Sequence, residues 1–420
     1  MTSEPEAQQP SCGHGSPALS IDEAHERIAA TVRPVQSVEL VNLRAALGRV
    51  LAEDIASPVR IPPDTNSAMD GYAFRGEDLN ADGAAFLRVL GTAWAGHPFD
   101  REVGRGECVR IMTGAPIPVG ADSVVMQERT ELEDEQVRIR GARAGDNVRF
   151  AGEDLEPGAH ALDAGTWVHP AELGVLASLG LTAVKVIRRP RVALFATGDE
   201  LLEPGQPLRP GTLYDSNRYT VWGMLTRLGM EIDDRGHLPD DRSAVEASLA
   251  SAAAENDVVI TTGGVSVGEA DHIGAVLREQ AEVGFWQVAI KPGRPLTFGH
   301  LGAAAFFGLP GNPVSAMVTF YQLVQPALRF LAGAPYRSPV ALRARSTGRF
   351  GNKPGRTEFQ RAVLSRGTDG LPEVAPAGPQ GSGRLTSMAR ANCFAVLTAE
   401  REGVERGDWV DVQPFEGMVG

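Results

Sequence analysis

Cysteine is scarce in this chain: three in 420 residues, Cys12, Cys108 and Cys393, far apart and with no CxxC pair. That usage argues against a disulfide framework or a structural zinc site, and it reads as small buried hydrophobes in a reducing, cytoplasmic setting. Cys12 and His14 have no further ligands close by, so no metal is expected there. Positive charge is also short. With 40 Lys and Arg against 53 Asp and Glu the formal net charge is −13, which speaks against a nucleic-acid or acidic-membrane binder, although a local basic pocket for a small anion remains compatible. No stretch approaches the run of about 20 apolar residues that a membrane helix needs. HExxH and Walker signatures are missing. Residues 1–18 are polar and turn-rich and predict a disordered tail rather than a signal peptide.

What is present indicates several domains, since 420 residues exceed one ordinary core. The 48 glycines and 29 prolines are spread along the chain and mark many tight turns. Ser20 and Glu23 are spaced as a capping box for a helix over 21–32, and a second helix is expected over 40–51, stopped by Ala56-Ser57-Pro58. Residues 60–153 read as a β-rich domain with apolar runs at 86–90, 108–111 and 123–126. Residues 154–189 are mixed, with a helix over 170–179. From 190 to 335, strands at 191–195, 257–260, 285–290 and 303–308 alternate with helices at 215–228, 241–254, 270–280 and 314–331. That alternation predicts an α/β domain, doubly wound on a mostly parallel sheet. Residues 336–420 return to short strands, at 359–364, 393–397 and 409–412, which suit a small barrel or sandwich.

Ligands of open α/β sheets bind at the carboxyl ends of the strands, and the chemistry-bearing residues cluster there. After the 257–260 strand come Gly263, Gly264, Ser266 and Gly268, more glycine than a simple turn needs and suited to cradling phosphate on backbone N–H groups. Glu269 and Asp271 follow; with the cradle they suit Mg²⁺, whereas Asp271 alone could be a helix cap. Glu200, beside Asp199 at the end of the first strand, can hold a metal or a hydroxyl-rich substrate, or sit in a solvated turn. Among Asp215, Ser216 and Asn217 at least one is expected to be a cap, while Asp215 and Asn217 are expected at the substrate, where Asn217 can donate and accept against a ligand edge. Lys291 and Arg294, in a rigid Pro/Gly loop, suit an oxyanion. Pro310, Gly311, Asn312, Pro313 and Ser315 precede a helix whose free N–H groups offer a second anion site. Outside this domain, the turns around Asn66 and Asp70 and around Thr113 would complete the site if another domain or subunit carried them to it. The inventory fits phosphoanhydride or phosphoester chemistry, or oxyanion handling.

Eight strings in order now matter together: NSAMDGYA at 66–73, RIMTGAPIP at 110–118, GEDLEPG at 152–158, ATGDEL at 196–201, YDSN at 214–217, TTGGVSVGEADH at 261–272, AIKPGRP at 289–295 and GLPGNPVSA at 308–316. From about residue 20 onward the chain resembles the MoeA family of molybdopterin molybdotransferases, which includes the E domain of gephyrin. The resemblance implies a cytoplasmic homodimer of elongated four-domain subunits. Its domains would be an interrupted linker and dimerisation domain (19–59 and 154–189), the β-rich domain (60–153), an α/β domain similar to pterin adenylyltransferases (190–335), and a C-terminal β-barrel (336–420). It implies Mg²⁺-assisted insertion of molybdate into adenylylated molybdopterin with release of AMP, and transient contact with other cofactor-biosynthesis proteins.

Residue by residue, the family's functional positions fall on Asp70, Thr113, Asp154, Glu200, Asp240, Asp271, Lys291, Pro310, Pro313, Arg361 and Ser382. Asp271 and Glu200 would stand near Mg²⁺ or the phosphates and Lys291 with Arg294 on the anion. Asp70 and Thr113 would come from the other subunit, and Arg361 and Ser382 would close or bind the cleft. Gln287 stands where a lysine is expected in related sequences, and Thr65 replaces an aspartate. The competing readings are an adenylyltransferase, which needs only the α/β domain, a non-enzymatic scaffold, and an insertase for tungstate.

Overall fold

In the computed structural model, residues 18–239, 241–263 and 272–415 are described. The first helix, Ile21–Thr31, starts at a complete capping box: Glu23 N donates to Ser20 Oγ at 3.2 Å and Ser20 N to Glu23 Oε2 at 2.7 Å. Its Ala24 and Ile28, one turn apart, enter the apolar core of the α/β domain.

The expected helix over 40–51 is corrected. Val38–Asn42 is a strand paired antiparallel with Ala183–Ile187, and only Leu43–Ala46 is helical, capped by Asn42. Cross-strand pairing with a partner some 140 residues on overrides the local helical spacing, as tertiary context commonly does. Ala46, Leu51, Val168, Leu176 and Val186 form the core here, with the helix Pro170–Ser178 on it.

The β-rich segment is one six-stranded sheet in the order Ser123–Met126, Gly71–Phe74, Glu107–Ile111, Ala85–Ala93, Gln136–Ile139, Thr130–Glu133. Apolar clusters cover both its faces.

The α/β sheet also has six strands, in the order Glu231–His237, Arg191–Ala196, Val258–Thr262, Ala304–Leu309, Pro295–Leu301, Glu282–Gln287. Three pairings are parallel and the last two antiparallel. The helices Asn217–Arg227 and Pro313–Thr319 cover one face, and Arg242–Glu255 with His272–Gln280 the other. The helix expected over 314–331 runs through a π turn at Phe320–Val324 before resuming at Gln325–Leu331. The strand expected over 285–290 is corrected too: Glu282–Gln287 ends it, and Ile290–Lys291 leaves the sheet to pair in parallel with Thr357–Arg366 of the C-terminal domain.

That C-terminal domain is a closed five-stranded barrel. Thr357–Arg366 pairs with both Pro372–Pro376 and Cys393–Leu397, and Leu342–Ser346 and Trp409–Pro414 complete the ring. Phe350, Val374, Leu397 and Val412 fill it. Cys108 and Cys393 are buried, and burial pushes both thiols up to about 12, the state of inert core cysteines.

Candidate functional site

At the carboxyl ends of the α/β strands three backbone segments close on one another. Gly263 has φ +87°, and its N–H donates to Leu309 O at 2.9 Å. A Cβ there would lie 2.8 Å from both the carbonyl and the hydroxyl oxygen of Thr197, so only glycine fits. A Cβ on Gly311 would lie 3.9 Å from Gly263 Cα. Asn217 Nδ2 donates to Gly311 O at 2.7 Å, which ties the start of its helix to the same loop, and its Oδ1 is buried with no partner among the described residues. Thr261 and Thr262, quoted only within the TTGGVSVGEADH string, and Thr297, which sequence reasoning passed over, bring three more buried hydroxyls without a described partner. Gly264, Ser266, Gly268, Asp271 and Asp240 lie outside the described residues.

Glu200 is exposed beside this cradle, its carboxylate lying back over Gly198, where a Cβ would meet Oε2 at 2.7 Å. Among the described residues no group of three or more His, Cys, Asp or Glu is gathered for a metal. Glu200 offers a hard oxygen donor of the kind that Mg²⁺ takes together with phosphate oxygens.

Asp215 turns inward instead. Its side chain is fully buried; Oδ1 accepts from Arg218 N at 3.1 Å, and Oδ2 lies 3.3 Å from Arg218 Nε and 3.2 Å from His237 Nε2. Arg218 is shared with Asp234, at 2.8 Å, and with Glu203. Burial pulls the Arg218 guanidinium down, but the Asp234 hydrogen bonds and the surrounding carboxylate charges push it up overall. Asp215 therefore anchors its helix, with both oxygens committed.

The loop after Ile290–Lys291 meets two other elements. Lys291 Nζ donates to Glu358 Oε2 at 3.0 Å, and Arg294 Nε to Gln287 Oε1 at 3.2 Å. A Cβ on Gly293 would press Thr319 at 2.7 Å and Ser315 O at 3.4 Å, so this loop packs directly on the helix that Pro313 opens. Pro310 and Ser315 are buried there, while Gly311 and Asn312 are exposed. The N–H of Val314 in the first turn donates to Ser382 O at 3.0 Å, so a barrel loop caps the helix start.

Arg361 shapes that barrel loop. It is 1% exposed, with Nε donating to Ser387 Oγ at 3.1 Å and Nη2 to the carbonyls of Pro379 and Gly381 at 3.2 and 3.0 Å. Burial lowers its pKa, and the Glu358 charge opposes the shift. The structure thus gathers Lys291, Pro313, Ser315, Arg361 and Ser382 around one junction of two domains. Glu358 was missed. It stands one residue before the strand expected at 359–364, and a carboxylate buried in a strand demands a partner.

Asp70 and Thr113 meet each other across the β-rich sheet: Asp70 Oδ1 accepts from the Thr113 N–H and hydroxyl, each at 2.7 Å. Both are exposed, and the Thr113 hydroxyl, then its N–H, holds the Asp70 carboxyl below the usual range. Asp154 lies exposed in a turn whose N–H donates to Ile61 O at 3.0 Å. Among the described residues no strand of this sheet pairs with the α/β sheet, so one chain does not bring Asp70 and Thr113 to the cradle by strand pairing.

Known proteins share this arrangement. Residues 19–180 match the MoeA N-terminal region (domain I and II), 193–329 a probable molybdopterin binding domain, and 343–415 the MoeA C-terminal region (domain IV). A molybdopterin molybdenumtransferase of Haemophilus influenzae is 43% identical over 96% of this chain and 100% of its own length. One from Nostoc is 39% identical over 86% of this chain and 85% of its own. The crystal structure of a molybdopterin biosynthesis moeA protein from Pyrococcus horikoshii superposes with a TM-score of 0.80 at 31% identity, covering 95% of this chain and all of that one.

Proposed function

The chain belongs to the MoeA family, and from that membership we propose that it is a transferase of molybdenum-cofactor biosynthesis, inserting molybdenum from molybdate into adenylylated molybdopterin with release of AMP. The observation that carries this reading is the junction of the Lys291 loop, the Pro313 helix start and the Ser382 barrel loop, at the end of the loop that holds the Gly263–Gly311 cradle. A pterin phosphate is an anion that the Gly311 backbone can meet without a Cβ in the way, while Gly263, its own N–H given to Leu309 O, holds the cradle closed beside it. Molybdate is a compact dianion, matched by an exposed ammonium at Lys291 and the cation Arg294. Asn217, tied to Gly311, orients the edge of the cradle.

Mg²⁺ belongs to the same proposal, held by Glu200 with Asp271, where it would neutralise charge on the phosphoanhydride. The homodimer completes the site in this reading: Asp70, fixed as an ionised carboxylate by Thr113, faces the cleft of a second subunit. Asp154, Gly264, Ser266 and Gly268 keep their proposed places as substrate contacts, and Asp240 its proposed catalytic one. No helix among the described residues is long and apolar enough to cross a membrane, in keeping with a proposed cytoplasmic enzyme.

The test supplies the purified chain with adenylylated molybdopterin, molybdate and Mg²⁺ and measures AMP by chromatography. Molybdate-dependent AMP release is expected. Consumption of ATP on free molybdopterin would overturn the proposal in favour of an adenylyltransferase, and the absence of both reactions would leave a binding scaffold.

A further inference from the structure

Lys291 is held from outside its own domain. The two-residue strand Ile290–Lys291 leaves the α/β sheet and pairs in parallel with the barrel strand, in the register Ile290 with Thr357 and Lys291 with Glu358. The same two residues then meet through their side chains, Nζ to Oε2 at 3.0 Å. Their settings differ: the Glu358 side chain is 4% exposed and that of Lys291 46%. A carboxylate is expensive to bury unless a cation and hydrogen bonds compensate it. A lysine on the surface has a long, mobile stem that no salt bridge is needed to solvate. The pair is therefore asymmetric, with Glu358 as the fixed member and Lys291 as the member it immobilises.

From this geometry we propose that Glu358 is a positioning residue for Lys291, aiming its ammonium at the molybdate oxyanion. An ammonium carries three donors; Glu358 takes one from the buried side and leaves two for the anion. The barrel would then contribute to oxyanion binding without touching the substrate. This inference rests on the reading of Lys291 as an anion contact.

The experiment uses the full-length chain and follows the KM for molybdate and the KM for adenylylated molybdopterin separately. Glu358→Met keeps the buried volume and removes the acceptor. It is expected to raise the molybdate KM about 10-fold, the effect of losing one charge-assisted contact, with kcat and the pterin KM nearly unchanged. Glu358→Gln restores an acceptor and is expected to bring the molybdate KM back. The double variant Lys291→Ala/Glu358→Met should be no worse than Lys291→Ala alone, because the carboxylate acts only through the lysine. A parental molybdate KM in Glu358→Met, or equal losses in both KM values and kcat without rescue by glutamine, overturns the proposal. If Lys291→Ala itself leaves the molybdate KM unchanged, it is the anion role of Lys291 that fails. If Glu358→Met does not fold, Glu358→Asp withdraws the carboxylate by one methylene and should still raise the molybdate KM several-fold; a parental value there overturns the proposal as well.

Discussion

Thr113 gives both its backbone N–H and its hydroxyl to one oxygen of Asp70, each at 2.7 Å, joining two loops 43 residues apart. Hydrogen bonds to the charged form favour it, which is why this carboxyl titrates low. A carboxyl whose folded value is depressed contributes stability above its unfolded value and loses it as pH falls through the folded one. Thr113→Val removes the hydroxyl and leaves the N–H. The Asp70 carboxyl should then move up toward the ordinary aspartate range, with Thr113→Ser holding it down. Carbon-13 NMR of aspartate-labelled protein reads the midpoint directly, and an unmoved midpoint in the valine variant would refute the assignment of cause.

Gly263 and Gly311 face each other across the cradle but differ in what they can tolerate. Gly263→Ala forces a Cβ into Thr197 O at 2.8 Å at a backbone φ of +87°. It should cost about 1–3 kcal/mol in urea denaturation and disrupt the cradle. Among the described residues Gly311→Ala meets only Gly263 Cα, at 3.9 Å, and it has an ordinary φ. It should leave stability within about 0.5 kcal/mol while placing a methyl where the ligand backbone contact is proposed, and so weaken binding of the adenylylated pterin. Two variants equal in both stability and binding would show that these glycines do not line a ligand site.

How much of this was legible in the sequence depends on how local the cause is. Val192–Ala196 and Ala304–Leu309 are uniformly buried apolar runs, and their composition announces them. Glu231–His237 is not legible, because EIDDRGH lies at the sheet edge with its flanks half in solvent and carries no apolar pattern. Pro295–Leu301 begins on a proline inside a loop motif and so reads as a continuation of that loop. At the site, Lys291 and Pro313 stand out as motif residues. The partner of Lys291, Glu358, does not, because that contact spans 67 residues and exists only once the barrel docks. Asp215 was legible as a cap but not as the buried hub of Arg218 and His237, which requires the edge strand that the sequence concealed.

His25 makes stability depend on pH below neutrality. It is 7% exposed and its Nδ1 lies 2.8 Å from Tyr336 Oη, joining the first helix to the segment that leads into the barrel. Burial lowers its pKa, and the charge of Asp22 opposes the shift. The unfolded chain therefore takes up a proton at His25 first, near pH of about 6.5, and stability falls as pH drops from there toward the lowered folded value. Melting temperatures between pH 7 and 5 should decline more steeply in the parent than in His25→Phe, which cannot protonate. Parallel declines would remove His25 as a cause.

Arg361 gives the last prediction, because it links the barrel to the helix start through the loop that carries Ser382. Its guanidinium holds the carbonyls of Pro379 and Gly381, and the loop so formed presents Ser382 O to the Val314 N–H. Arg361→Met fills most of the volume and leaves those carbonyls without their donor. A buried acceptor left unpaired costs about 1–3 kcal/mol, and the loop can avoid that cost by swinging into solvent. The Val314 amide should then exchange with solvent much faster than in the parent, while amides in the Cys393–Leu397 strand keep their protection. Hydrogen–deuterium exchange with mass spectrometry resolves the two regions. Uniform acceleration across the barrel would mean that Arg361 supports the whole domain, and an unchanged Val314 would mean that the loop holds its shape without it.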